Sequence, residues 1–418
     1  MTRMVPEELF SRRDFKPYSQ TRPKLIAMRF IQVFNRYLKP GGEENSVKRI
    51  AAHLELGGHR VSRFWRSSDE WLGPDAPSRF RQPLLLWKNA AVLRDLQDFH
   101  EREKPAAWIL HNVLPVVSLG VYRLARELNV PVVQWLHNYR PLSPSGTLQA
   151  ATRLLRPDDP WIAWKETWAG TWRGRFPTAM VSLGYARIRW RGDFSNVRAW
   201  VSVSAEMRNI FARAGWPEDR LFTLRHSWDI QGNLRAERDE GYFFFLGRMV
   251  EEKGVRFLVN LWKSPALAGS QLVLAGDGPL RHELCRTTSP NVKWVGYVEG
   301  EQKRQLIEGC RAVVFPSIWP EPLSTVAYEA YENAKPVITS DAGGMKEIVL
   351  QNETGRVVKA AASVLWQEAI LQLAGDAALA RAWGLNGRRW LENNVSPDVW
   401  NRRFNQIIEQ TIEARKSN

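Results

Sequence analysis

The chain has 418 residues, more than one hydrophobic core normally supports, so two domains are expected. Apolar content of 44% and charged content of 25% fit a folded globular chain and exclude a disordered one. The formal net charge of +15 asks for an anionic partner: nucleic acid, an acidic lipid surface or a phosphorylated substrate. Cys285 and Cys310 make no disulfide framework and read as buried or free thiols of a reducing compartment. The seven histidines are scattered without metal-ligand spacing, so no metal site is expected. Residues 1–24 read as a tail without the apolar core of a signal peptide. No run approaches the roughly 18 apolar residues of a membrane span, and a cytoplasmic protein is the expectation.

The first element is the apolar run 25–34, of buried-strand type, broken by Arg29 and Gln32. Pro40, Gly41 and Gly42 follow as a loop, and then comes a helix of about four turns. Gly57 and Gly58 stop it, and 59–65 resumes an extended pattern, completing a strand–helix–strand unit. Residues 106–138 and 197–227 read as two more such units. A polar, charged stretch, 228–240, reads as an interdomain linker. Beyond it, short apolar runs at 242–247, 271–278, 292–298, 312–317 and 335–341 alternate with helical segments, which implies a parallel sheet covered on both faces. Ser396 and Pro397 match a helix N-cap and first turn, and Trp400, Phe404, Ile407, Ile408 and Ile412 share one apolar helix face. The expected class is α/β, with two doubly wound Rossmann-like domains facing a central cleft. The first spans 25–232 with 396–418 returning to it, and the second spans 233–395.

In open parallel sheets ligands bind beyond the carboxyl ends of the strands. The loop after 242–246 carries Arg248 and Lys253, two cations suited to a diphosphate, although an ordinary surface loop is an equal reading. The loop after 312–317 holds Glu321 and Glu329, with seven residues between them that include Pro322, Leu323, Ser324 and Thr325. A helix starting near Ser324 would aim the N–H groups of Leu323, Ser324 and Thr325 at the crevice, an anion site. Carboxylates there would repel phosphate, so each is better suited to accept hydrogen bonds from sugar hydroxyls. A hydrolytic couple gives no reason for the Arg248/Lys253 pair. Tyr297 and Val298 follow another strand and could pair through backbone with a base edge.

The segments GRMVEEKG, AGDGPL, GYV, EPLSTVAYE and SDAGGMKEIV resemble, in order and spacing, the retaining glycosyltransferases of family 4, which have the GT-B fold. KPGGEE at 39–44 resembles that family's N-terminal glycine loop. HNVLPVVS and WLHNYRPLSPSG are similar to the subgroup that extends bacterial surface polysaccharides. The resemblance implies a UDP- or GDP-sugar donor on the second domain and a glycan or lipid-linked acceptor on the first. It gives Arg248 and Lys253 to the diphosphate, with Leu323, Ser324 and Thr325 beside them. Glu329 falls to the ribose, Glu321 to the transferred sugar, and Tyr297 and Val298 to the base. Gly41 and Gly42 would approach the phosphates, and His137 would stand at the reaction centre. It also implies transfer with retention and without metal or cofactor. Three positions depart from the pattern: Ser324 replaces a usual glycine, Ser143 a usual cysteine, and 224–229 carries no site by this reading.

Residues 161–200 interleave tryptophans with Arg173, Arg175, Arg187, Arg189, Arg191 and Arg198. They suit single-stranded nucleic acid or an anionic membrane surface, against a plain alternative of solvated arginines and buried tryptophans. A lipid-linked acceptor favours peripheral attachment to the inner membrane face, and nucleic acid is not expected. Two rival functions are a nucleotide-sugar epimerase of similar shape and a non-catalytic nucleotide-sugar-binding protein. The first lacks added acids and bases, and the paired glutamates argue against the second.

Overall fold

A computed structural model describes residues 27–38, 41–150, 153–156, 158–232 and 238–413. The expected tail at 1–24, positions 39–40 of the glycine loop, the middle of the linker and residues 414–418 lie outside the described residues.

The strands of the first half are β1 (Arg29–Arg36), β2 (Arg60–Ser67), β3 (Ala107–Leu110) and β4 (Val132–Leu136). A short antiparallel hairpin of β5 (Gln149–Ala150) and β6 (Arg153–Leu154) follows, then β7 (Val197–Ser202) and β8 (Leu221–Thr223). The second half contributes β9 (Phe243–Leu246), β10 (Leu272–Ala275), β11 (Val292–Gly296), β12 (Ala312–Phe315), β13 (Val337–Ser340) and β14 (Gly355–Val358). Two six-stranded sheets result, ordered β2-β1-β3-β4-β7-β8 and β11-β10-β9-β12-β13-β14. All their pairings are parallel. Every residue of β3, β4, β10, β12 and β13 is buried, as a sheet covered on both faces requires.

Side-chain alternation divides the apolar residues of β9 between its two faces. Phe243 and Phe245 enter a core shared with Trp262 and Trp366, while Phe244 joins a second cluster that runs on into the first domain. The helix Pro397–Ile408 belongs to that second cluster. Trp400 stacks on Trp135 at 5.8 Å, Phe404 meets Phe30 edge-on at 5.8 Å, and Trp400 Nε1 donates to the Arg225 carbonyl at 3.0 Å. Ser396 stands at its N-cap as the sequence suggests, but its hydroxyl makes no capping bond. Both cysteines are free, Cys285 exposed and Cys310 buried.

Strand order fixes where ligands can sit. The chain reverses direction across the first sheet between β1 and β3, and across the second between β9 and β12. The loops leaving those strands open into crevices at the switch points. All the candidate site residues lie in or beside loops that leave the carboxyl ends of β1, β4, β9, β11 and β12.

Candidate active site

The loop after β9 turns sharply enough to need glycine. Gly254 has φ 69°, and a Cβ there would collide with the Pro316 carbonyl at the end of β12. That close approach brings Lys253 against the neighbouring loop. Its ammonium lies 2.5 Å from Glu321 Oε1 and 5.9 Å from the centre of the Trp319 ring. The other carboxylate oxygen of Glu321 accepts from Ser317 Oγ at 2.9 Å. Glu321 is buried, so a full ionic and hydrogen-bonded set holds its charge. The sequence assigns Lys253 to a phosphate and Glu321 to a sugar; in the structure the two neutralise each other.

Glu329 has a similar arrangement. It is the fourth residue of the helix Val326–Glu332, and its Oε1 accepts from Lys303 Nζ at 2.9 Å. Its Oε2 is buried with no partner among the described residues, which leaves one acceptor position open. Arg49, from the helix Gly42–Leu56 of the first domain, stacks its guanidinium 4.3 Å over Trp228. Burial lowers the Arg49 pKa, and the charge of Glu329 opposes that shift. Lys303 and Arg49 were not singled out in the sequence, because neither sits in a glycine loop.

The loop between the two glutamates differs from expectation. The helix begins at Val326, with Thr325 as its N-cap in helical conformation, and runs only seven residues. Among the described residues none accepts a hydrogen bond from the N–H groups of Leu323, Ser324 or Thr325. The anion-binding reading therefore rests on three loop amides rather than on a long helix. Arg248 does not share the buried carboxylate partner of Lys253. Its side chain is exposed and its nearest acid is Glu252, at 3.6 Å. Tyr297 is exposed and its hydroxyl donates to Glu299, whereas Val298 is buried.

The first domain faces this lip with open backbone. A Cβ added at Gly41 or Gly42 would meet no atom of the described residues within 4 Å. Behind the glycines stands a column of three imidazoles. His137 Nε2 lies 2.9 Å from His111 Nδ1, and its ring stacks on His226 at 6.4 Å. His226 Nδ1 lies 2.9 Å from Ser46 Oγ, and across the cleft the ring faces the backbone of Leu323, which favours its charged form. Burial pushes all three pKa values down, and for His111 and His226 the charge of His137 adds to it. The column is therefore neutral at neutral pH. His226 belongs to the segment that carried no site by sequence.

Beside His137 a cavity of about 20 Å³ is lined by Glu43, Asn138, Arg140 and Tyr185, room for about one water. Glu43 Oε2 accepts from Tyr37 at 2.9 Å and from Asn138 at 3.3 Å, while Glu43 Oε1 is buried without a partner among the described residues. Further contacts across the cleft join the halves. Tyr139 OH donates to the Pro320 carbonyl at 2.6 Å. Glu347 accepts from the N–H groups of Ala205 and Glu206 at 2.9 and 2.7 Å, capping a first-domain helix.

Comparison of the whole chain with solved structures finds Anabaena HepE in complex with UDP at TM-score 0.62 and 18% identity, covering 91% of this chain and all of that one. The fold is GT-B. Residues 227–390 of this GT-B chain match the family model of glycosyl transferases group 1. An uncharacterised glycosyltransferase of Methanocaldococcus jannaschii is 28% identical over 239 residues, 51% of this chain and 58% of the relative. The capsular polysaccharide biosynthesis glycosyltransferase CapM of Staphylococcus aureus is 29% identical over 178 residues, 41% of this chain and 44% of the relative. The alignment thus spans about half the length of these two curated relatives.

Proposed function

We propose that the protein is a retaining, metal-independent glycosyltransferase that moves a sugar from a UDP- or GDP-sugar to a glycan or lipid-linked acceptor of a bacterial surface polysaccharide. The observation that carries this reading is the pair of lysine-bound carboxylates, Lys253–Glu321 and Lys303–Glu329, on one lip of the GT-B crevice. The open glycines and neutral histidines of the other lip complete it. The UDP bound by the Anabaena protein supports a nucleotide-sugar donor, and the capsular role in the staphylococcal relative's name supports a polysaccharide product.

On this reading an incoming diphosphate competes with Glu321 for Lys253, and the freed carboxylate turns to hydroxyls of the donor sugar. Arg248, exposed at the mouth, adds the second positive charge. The acceptor oxygen bonds to the anomeric carbon on the face that the diphosphate leaves, and the departing phosphate oxygen takes the acceptor proton. The protein's main task is to stabilise the charge that grows on the diphosphate. His137, neutral, offers one hydrogen bond to the sugar without adding charge beside the reacting carbon. Ribose hydroxyls satisfy the open Oε2 of Glu329.

A thermal-shift panel of UDP, GDP, ADP and their sugars tests the donor class. A ligand at one hundred times its dissociation constant adds about 2.7 kcal/mol of stability. One nucleotide family should raise the melting temperature, and Glu329→Gln should remove most of that rise. A panel with no shift at all would contradict the reading.

A further inference from the structure

The transfer chemistry leaves the surface at 153–191 unused. The helix Ile162–Ala169 buries Ile162 and Glu166 and turns Trp161, Trp164 and Trp168 outward, each more than 60% exposed. The rings of Trp164 and Trp168 stack on each other at 6.3 Å. The helix Arg175–Arg191 adds Phe176, Leu183 and Trp190, the last 85% exposed. These three are seven residues apart, so they form one stripe along the helix. Its buried side is filled by Val181, Tyr185 and Ile188. Each helix thus buries one side within the chain and turns large apolar side chains to solvent on another. Of the six tryptophans of 161–200, Trp161, Trp164, Trp168 and Trp190 face solvent, Trp172 is half-buried and Trp200 is buried. Apolar surface of this kind marks an interaction site.

Charge selects the partner. Residues 153–191 carry eight cations (Arg153, Arg156, Lys165, Arg173, Arg175, Arg187, Arg189, Arg191) against Asp158, Asp159 and Glu166. Glu166 is buried, and the two aspartates hold Arg156 and Lys165. Arg175 and Arg173 lie 4.9 and 5.4 Å over the rings of Trp168 and Trp172, cations resting on aromatic faces. Indoles favour the headgroup layer of a bilayer, and arginines favour anionic headgroups.

Position supplies the purpose. Glu166 accepts from the Ser145 N–H at 2.8 Å and from Thr171 Oγ1 at 2.9 Å, and the Ser143 hydroxyl also bonds to it. It thereby fixes the tryptophan helix to the loop that carries His137 and Arg140. Tyr185, on the same helix as Leu183 and Trp190, lines the small cavity beside His137. We infer that this face docks on a bilayer bearing anionic headgroups, so that a lipid-linked acceptor meets the first-domain crevice at the membrane surface. The acceptor part of this inference rests on the function proposed above; the docking does not.

Flotation of the full chain with phosphatidylcholine vesicles containing about one third phosphatidylglycerol, at low salt, tests the docking. Wild type should float with these vesicles and far less with pure phosphatidylcholine. Trp164→Ser, Trp168→Ser and Trp190→Ser combined should weaken binding at least about ten-fold. Arg175→Glu and Arg187→Glu should each weaken it about five-fold, an effect lost at high salt. Nucleotide-induced thermal stabilisation, unchanged in all variants, shows that they fold. The inference is overturned if wild type stays off anionic vesicles, or if the variants bind as wild type does. It is equally overturned if the tryptophan variants abolish only dimer formation or only binding of a single-stranded oligonucleotide. Flotation without sugar transfer would leave docking standing and the transferase reading failed; transfer without flotation would do the reverse.

Discussion

Lys253 and Glu321 neutralise each other in a buried spot, and each is therefore costly to remove alone. Glu321→Gln keeps the shape and leaves Lys253 without an anion. We expect sugar transfer to fall by about 10²-fold or more, in line with loss of one group that acts on developing charge. Circular dichroism of the variant should match wild type. The three imidazoles give a pH signature. Burial holds His111, His137 and His226 below their unfolded value of about 6.5, so the unfolded chain binds more protons in acid. Their contribution is fully present above about pH 6.5 and is lost as pH falls toward the depressed folded values. The melting temperature should drop between about pH 6.5 and 5, and His111→Gln should flatten that drop.

At the scale of elements, glycine fixes how loops meet. Gly254→Ala forces a Cβ into the Pro316 carbonyl at a positive φ, and we expect a loss of about 2 kcal/mol or more in urea unfolding. The strands of both sheets were legible because buried parallel strands are continuous apolar runs bounded by glycine or proline. β14 was not, since Gly355 and Arg356 dilute Val357 and Val358 to a weak signal. The start of the helix after Glu321 was misplaced by two residues, because Ser324 and Thr325 both look like caps while only Thr325 takes that place. Loops of the candidate site were legible from their glycines and charges. Their pairing was not, because Lys253 and Glu321 are 68 residues apart and only the shared strand ends join them. His226 and Arg49 stand in segments whose pattern showed a strand–helix unit but no binding loop. In the tryptophan-rich region the composition was plain, but the direction each ring faces follows from what the helices pack against.

For the whole molecule, the halves meet through few polar contacts. Glu347 caps the helix Ala205–Arg213 from the other domain and also pairs with Arg225 at 3.2 Å. Glu347→Ala should cost about 1–2 kcal/mol, a cap together with a charge-assisted bond. It should also raise the radius of gyration measured by small-angle scattering, and donor should reverse the increase by bridging the lips. An unchanged radius would mean that the apolar contacts of Trp228 with Tyr328 suffice to hold the domains. The central claim is that Glu321 and Lys253 form the working centre of a nucleotide-sugar transferase. Release of nucleoside diphosphate from a panel of purified UDP- and GDP-sugars, with wild type and Glu321→Gln side by side, tests it most directly. The account predicts release from one donor by wild type and a rate lower by about 10²-fold or more in the variant. No release from any donor, or equal release by both proteins, would contradict it.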